Sequence, residues 1–172
     1  MTHKILLFYK YTGIENPQAL MERERAVCSV LDLKGRIIIA KEGINATVEG
    51  TVANIEKYKA HILNDPRFKK LQIKDSEGTG NAFPRLQVKV KDEIVSTQFP
   101  KRINPENQTG KYVQPHDLKK MYENNEDFVI IDMRNNYEFA SGHFKNSVNA
   151  NLNNSRDLIE KVQDLKIHQD KK

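Results

Sequence analysis

The sequence predicts two unlike folding units: an α+β domain over residues 1–96 and a shorter α/β segment over 115–172, joined by a linker over 97–114. Three observations carry this. The first half alternates strand and helix signals in the order βαββαβ, with one further strand. Residues 97–114 are rich in Pro, Asn, Gln and Lys and lack a hydrophobic period. Beyond them a short apolar run, Phe128 to Ile131, stops abruptly at Asp132 and Arg134. That is the pattern of a buried parallel strand delivering charged groups to the rim of a sheet, where open α/β sheets keep their chemistry.

The elements follow in order. Lys4 to Tyr11 reads as a strand. Asn16-Pro17 is a helix start, because Asn accepts bonds from free backbone N–H groups and Pro fits the first turn. Leu20, Val27 and Leu31, with Met21, Glu24 and Cys28 beside them, keep helical spacing to about Leu33, and Gly35 is expected to end that helix. Arg36 to Ala40 and Asn45 to Glu49 are expected strands around a turn at Gly43. Thr51 caps a second helix with Val52, Ile55, Tyr58 and Ile62 on its apolar face, and Asp65-Pro66 closes it. Leu71 to Lys74 and Arg85 to Val90 are expected strands on either side of a polar loop, Asp75 to Asn81. This order predicts an antiparallel sheet with two helices on one face, the ferredoxin-like or acylphosphatase-like plan. After the linker come a short helix over His116 to Asn124, the strand ending at Asp132, a helix from about Asn136, a strand near Ser147 to Ala150 and a helix over Asn154 to Lys166. A doubly wound sheet needs about three more strands than this segment offers, so the second domain is expected to be incomplete.

Net charge is +5, and it is uneven. Residues 1–96 hold 16 Lys and Arg against 12 Asp and Glu, whereas residues 126–172 hold 7 against 8. A basic bias upstream permits an RNA partner, but on charge alone a solvated lysine-rich surface is the better reading. No apolar run is long enough to span a bilayer and no signal peptide is legible, so no membrane role is expected. A single cysteine, Cys28, excludes an intramolecular disulfide and fits a reducing cytoplasm.

Four motifs could carry chemistry. Lys41-Glu42-Gly43-Ile44-Asn45 links two strands; Lys41 or Asn45 could touch phosphate or a base edge, and a turn whose glycine needs positive φ explains the same residues. Arg85, Lys89 and Lys91 alternate with Leu86, Val88 and Val90, which makes either an RNA-facing stripe or a plain amphipathic strand. Asp132 and Arg134 could orient a catalytic loop or form a surface ion pair closing a turn. His143 after Gly142 could act in acid–base chemistry, but with no second His or Cys close in sequence a structural role is the better reading. Cys28 within an amphipathic helix reads as a core residue. The five histidines show no metal-ligand spacing, and no cofactor site is identifiable.

Taken together, YKYTGIENPQAL, GRIIIAKEGINATVEG, RLQVKVKDEIV, GKYVQPHDL and VIIDMRNNYEFASGHFKNSV, in this order from Tyr9 to Val148, resemble the bacterial rhodanese-domain tRNA uridine hydroxylases. The resemblance implies a ferredoxin-like domain followed by a rhodanese domain. It implies a cytoplasmic enzyme that uses dioxygen as co-substrate to hydroxylate carbon 5 of the wobble uridine, with tRNA as partner and no DNA. It also implies that Asp132 and Arg134 support an active-site loop whose cysteine is essential. In the family a Cys-Thr-Gly-Gly-Ile-Arg-Cys-Glu-like loop follows a segment like IHQDKK; this sequence ends at Lys172, so the chain is expected to be truncated, without a catalytic residue of its own and inactive. Two other readings remain open: a rhodanese-type sulfurtransferase carrying persulfide sulfur, and a non-catalytic module that grips RNA or protein.

Overall fold

The computed structural model describes residues 2–95 and 110–166. The expected linker, save for 110–114, lies outside the described residues, as do His168 and the C-terminal residues around it. The chain divides into two compact units, Met1–Val95 and Ser96–Lys172.

Unit 1 runs β1 (His3–Tyr11), α1 (Pro17–Val30), β2 (Lys34–Ala40), β3 (Gly43–Thr51), α2 (Val52–Asn64), β4 (Ile73–Gly78) and β5 (Leu86–Val90). The sheet order is β4-β1-β3-β2-β5. The first four strands pair antiparallel and β5 joins β2 in parallel, so the sheet is mixed where an antiparallel one was expected. Both helices lie on one face, over a core that includes Leu6, Phe8, Ile37, Ile39, Ile44, Val48, Ile55, Tyr58 and Ile62. The helix starts are as the sequence predicts: Asn16 Oδ1 accepts from Ala19 N at 3.0 Å, and Thr51 Oγ1 accepts from Asn54 N at 3.3 Å.

Gly35 does not end α1. The helix stops at Val30, and Asp32, in the left-handed region at φ 50°, turns the chain. Gly35 lies inside β2 at φ 139°, where an added Cβ would meet the Thr47 carbonyl oxygen at 2.2 Å. β4 is also displaced: it occupies Ile73–Gly78, most of which reads as a loop in sequence. Its polar residues are tolerated because it is an edge strand, bonded to β1 alone. Val90, expected on the apolar face of β5, is 41% exposed, since only Val88 reaches the core fully.

One charged cluster is buried between α1 and α2. The Glu24 carboxylate, fully buried, accepts from Tyr58 Oη at 2.9 Å and meets His61 Nε2 and the Arg23 guanidinium at 3.1 Å. Arg23 continues to Asp65 at 2.8 Å, and Asp65 is forked by Arg67. Every oxygen of this cluster is answered, which is what a buried carboxylate requires.

Unit 2 contains α3 (Pro115–Glu123), β6 (Ile131–Asp132), α4 (Asn136–Ser141), β7 (Val148–Asn149) and, after a single 3-10 turn over Ser155–Asp157, α5 (Leu158–Leu165). The two strands are parallel, two residues each. Only Ile131 of the expected strand Phe128–Ile131 pairs, and Asp132 belongs to the ladder rather than following it. Ala150 and Leu152 are the buried apolar residues among the described residues of this unit, against 17 in the unit 1 core. At about 1.5–3 kcal/mol for each large side chain fully buried, the core of unit 1 far outweighs that of unit 2.

Gly35→Ala is therefore expected to cost roughly 2–3 kcal/mol, through positive-φ strain and the clash with Thr47. Urea unfolding of unit 1 followed by far-UV circular dichroism measures it, and a loss under about 0.5 kcal/mol would refute the close approach.

Candidate functional site

The rim of unit 2 begins where β6 ends. The Asp132 carboxylate is nearly buried, and Arg134 encloses it from two residues away. Arg134 donates from Nε to Oδ1 at 3.0 Å, from Nη2 to Oδ2 at 2.6 Å and from its backbone N–H to Oδ1 at 3.1 Å. A forked guanidinium–carboxylate pair of this kind is directional as well as strong. Its hydrogen bonds hold the Asp132 carboxyl below the usual carboxylate range, against the opposing effect of burial. Arg134 Nη2 also reaches the Gly142 carbonyl at 2.7 Å, so one side chain ties the strand end to the far end of α4.

Other motif residues build this corner. Glu138 Oε2 accepts from the Asn135 backbone N–H at 3.1 Å and closes the start of α4. His143 stacks on Phe139, with ring centroids 3.9 Å apart, and its Nδ1 lies 3.0 Å from the Phe139 carbonyl. That engagement is structural. A cavity of about 540 Å³ opens beside the pair, lined by Ile130, Ile131, Met133, Gly142, His143 and Phe144 with the two charged residues. Sequence reading missed the cluster behind it: the Asn136 side chain donates to Asn151 at 3.0 Å and to Asn153 at 3.1 Å, and accepts from Asn149 at 3.1 Å. The asparagine-rich run over residues 146–154 was its only signal.

The residues expected to meet RNA lie in unit 1. Lys41 is exposed in the β2–β3 turn. Gly43 beside it has φ 153°, and a Cβ there would meet the Lys10 carbonyl oxygen at 2.0 Å, so this motif does have the tight backbone that a glycine turn requires. Asn45 Nδ2 donates to the Ile94 carbonyl at 3.3 Å. Arg85, Lys89 and Lys91 are all exposed; the first and last flank β5 and hold its ends to β2 through backbone bonds. Cys28 is fully buried, and burial, with Glu24 adding to it, pushes its thiol up to about 12.

These two units define an acylphosphatase-like domain followed by a rhodanese-like one. Residues 3–94 match the model of the UPF0176 acylphosphatase like domain, and residues 114–172 match that of the rhodanese-like domain. The chain belongs to the UPF0176 family. It is 43% identical over 164 residues to a protein of Bacillus thuringiensis (strain Al Hakam) named tRNA uridine(34) hydroxylase, covering 95% of this chain and 51% of that one. A Bacillus anthracis protein of the same name is 42% identical over the same shares. The chain thus spans about half the length of the relatives it matches. No helix among the described residues is long and apolar enough to cross a membrane.

Because the folded Asp132 carboxyl ionises below its unfolded value near 3.9, its contribution to unit 2 is complete above that pH and is lost as pH falls through the lowered folded value. Arg134→Gln removes the cause. Thermal melts read at the Val148 and Ala150 amide resonances between pH 5 and pH 2 should fall more steeply in the parent than in the variant. Parallel profiles would contradict the assignment.

Proposed function

We propose that this chain works in the oxygen-dependent hydroxylation of the wobble uridine of tRNA, binding tRNA and presenting the Asp132–Arg134 rim of a rhodanese-like site. The observation that supports this most directly is the 43% identity, over 95% of the chain, to proteins named tRNA uridine(34) hydroxylase. Dioxygen is the co-substrate in this reading, and the setting is cytoplasmic.

The rim supports it physically. A rhodanese loop stabilises a thiolate or persulfide by surrounding sulfur with backbone N–H groups. Such a loop needs a rigid border, and the Arg134 fork supplies one by fixing the end of β6 to Gly142. The sulfur itself is not supplied by these residues. Cys28 is the one cysteine, and a fully buried thiol held neutral is neither nucleophile nor sulfur carrier.

Two measurements test the proposal. Mass analysis of wobble uridine in cells lacking the gene should show loss of the hydroxylated nucleoside; loss of a thiolated nucleoside instead would establish the sulfurtransferase reading. The purified chain alone should turn over neither unmodified tRNA nor thiosulfate with cyanide. Turnover that survives Cys28→Ser would overturn the reading that these residues supply no nucleophile.

A further inference from the structure

The helices cover one face of the unit 1 sheet; the other is covered at one end by the segment around Ile94, itself 2% exposed, whose carbonyl accepts from Asn45 Nδ2 at 3.3 Å, and it is exposed around Leu7 and Arg36. Strand alternation assigns each residue to a side. Leu6, Phe8, Ile44, Ala46, Val48, Ile37 and Ile39 point to the helices. Leu7, Tyr9, Asn45, Thr47, Arg36, Ile38 and Lys89 therefore share the opposite side, where Ile38 is buried, Asn45 and Thr47 are half-buried, and Leu7, Tyr9, Arg36 and Lys89 are exposed. Register places them in two rows. Lys74, Leu7, Thr47, Arg36 and Gln87 are successive neighbours across all five strands. Tyr9, Asn45, Ile38 and Lys89 form the next row across four.

The composition of this face is unusual for a solvated surface. Tyr9 is 51% exposed and Leu7 39% exposed, two residues apart on β1. Arg36, Lys74 and Lys89 are exposed around them, and none is in an ion pair among the described residues. Acidic side chains are segregated away. Asp75 and Glu56 are on the helix side, where they pair with Lys59 at 3.0 Å and Lys4 at 3.2 Å. Glu49 is on the opposite side but 1% exposed, its oxygens taken by the backbone N–H groups of Gly80 at 2.7 Å and Ala82 at 2.8 Å. At one end of the face burial, with Glu42, Tyr9 and Glu93 adding to it, raises the Tyr11 phenol above the ordinary value. The acidic border is thus at the Tyr11 end, where the Tyr9 ring meets that of Tyr11 edge-on at 6.5 Å; Lys74 and Arg36 lie in the row of Leu7, and Lys89 in the row of Tyr9.

We propose that the exposed part of this face is a stacking platform for single-stranded RNA, with one base on the Tyr9 ring against Leu7 and the backbone phosphates on Arg36, Lys89 and Lys74. This rests on the tRNA reading above and deepens it by naming the surface and the form of RNA. Strand spacing puts Arg36 about 10 Å and Lys74 about 5 Å from Leu7, on opposite sides, so a strand crossing the sheet meets a cation on each side of the stacked base. Duplex RNA hides its base faces and cannot use a flat aromatic platform, whereas an unpaired loop can splay its bases onto it. The RNA residues that the sequence suggests, Lys41, Asn45, Arg85, Lys89 and Lys91, do not include Tyr9 and Arg36, because Ile5 to Tyr9 reads as an apolar run and Arg36 as the first residue of an apolar strand.

The test uses the full chain and fluorescence anisotropy with three probes: a single-stranded oligoribonucleotide, a duplex of the same length and a tRNA. Single-stranded RNA should bind more tightly than duplex. Tyr9→Ala should weaken single-strand binding about tenfold or more, and Tyr9→Phe should stay within about twofold, because the ring does the stacking. Arg36→Gln with Lys89→Gln should lower the salt slope by about 1.4, because two phosphates of the single strand are no longer neutralised. Lys57→Gln with Lys70→Gln, exposed cations outside the open face, should change neither, and thermal melts confirm that each variant is folded. Tyr9→Ala with parental affinity overturns the platform. If tRNA binding persists in that variant, the tRNA reading survives; if the parent chain binds no RNA at all, the reading of this chain as a tRNA binder fails with the platform. If Tyr9→Ala abolishes a dimer in sedimentation and leaves RNA affinity unchanged, the face belongs to a second copy and the proposal is wrong.

Discussion

The register of β3 governs unit 1. It is the central strand, paired on both sides, and its residues Ile44, Ala46 and Val48 are all fully buried. Two glycines hold its neighbours close. Gly43 approaches the Lys10 carbonyl of β1, and Gly35 approaches the Thr47 carbonyl from β2. A side chain at either site would push a strand away, and a slip by one residue would turn every core residue outward. The same register decides which side chains face away from the helices. The open face is therefore a consequence of core packing, and its chemistry depends on two close glycine approaches.

Unit 2 is organised by one ion pair instead of a core. Few of its described residues are buried, and its strands are two residues each. The Asp132–Arg134 fork, the Glu138 cap and the asparagine cluster around Asn136 do locally what a larger apolar core does elsewhere. An isolated exposed ion pair contributes little. This one has a buried carboxylate that takes hydrogen bonds from both the backbone and the side chain of Arg134, so removing the guanidinium would strand it. The corner from Asp132 to Gly142 is thus held in shape by hydrogen bonds among its own residues.

Much of this was legible in sequence because the signals were local. Asn16 and Thr51 act through bonds to residues three positions away, and the apolar period of α2 is met by Ile55, Tyr58 and Ile62 in the core. Asp132 and Arg134, two residues apart, were readable as a pair for the same reason. What failed was long-range. Nothing near Gly35 says that its neighbour is Thr47, so a glycine after a helix reads as a cap. β4 is polar, and only its pairing with β1 makes it a strand. Glu24 shares a helical face with Leu20 and Cys28, yet its burial follows from Tyr58 and His61 on another helix. The open face has the same character: Tyr9 and Arg36 become neighbours of one surface only through pairing across β3.

The central proposal is that the two sides of the unit 1 sheet are chemically distinct and that the exposed residues of the side away from the helices meet RNA. Chemical-shift mapping on the nitrogen-labelled chain, titrated with an anticodon stem–loop, tests it most directly. The account predicts that the amides of Leu7, Tyr9, Arg36, Thr47 and Lys89 move together, and that those of Glu56, Lys57 and Lys59 on α2 stay in place. Shifts concentrated on α1 and α2, with the open face unmoved, would contradict it.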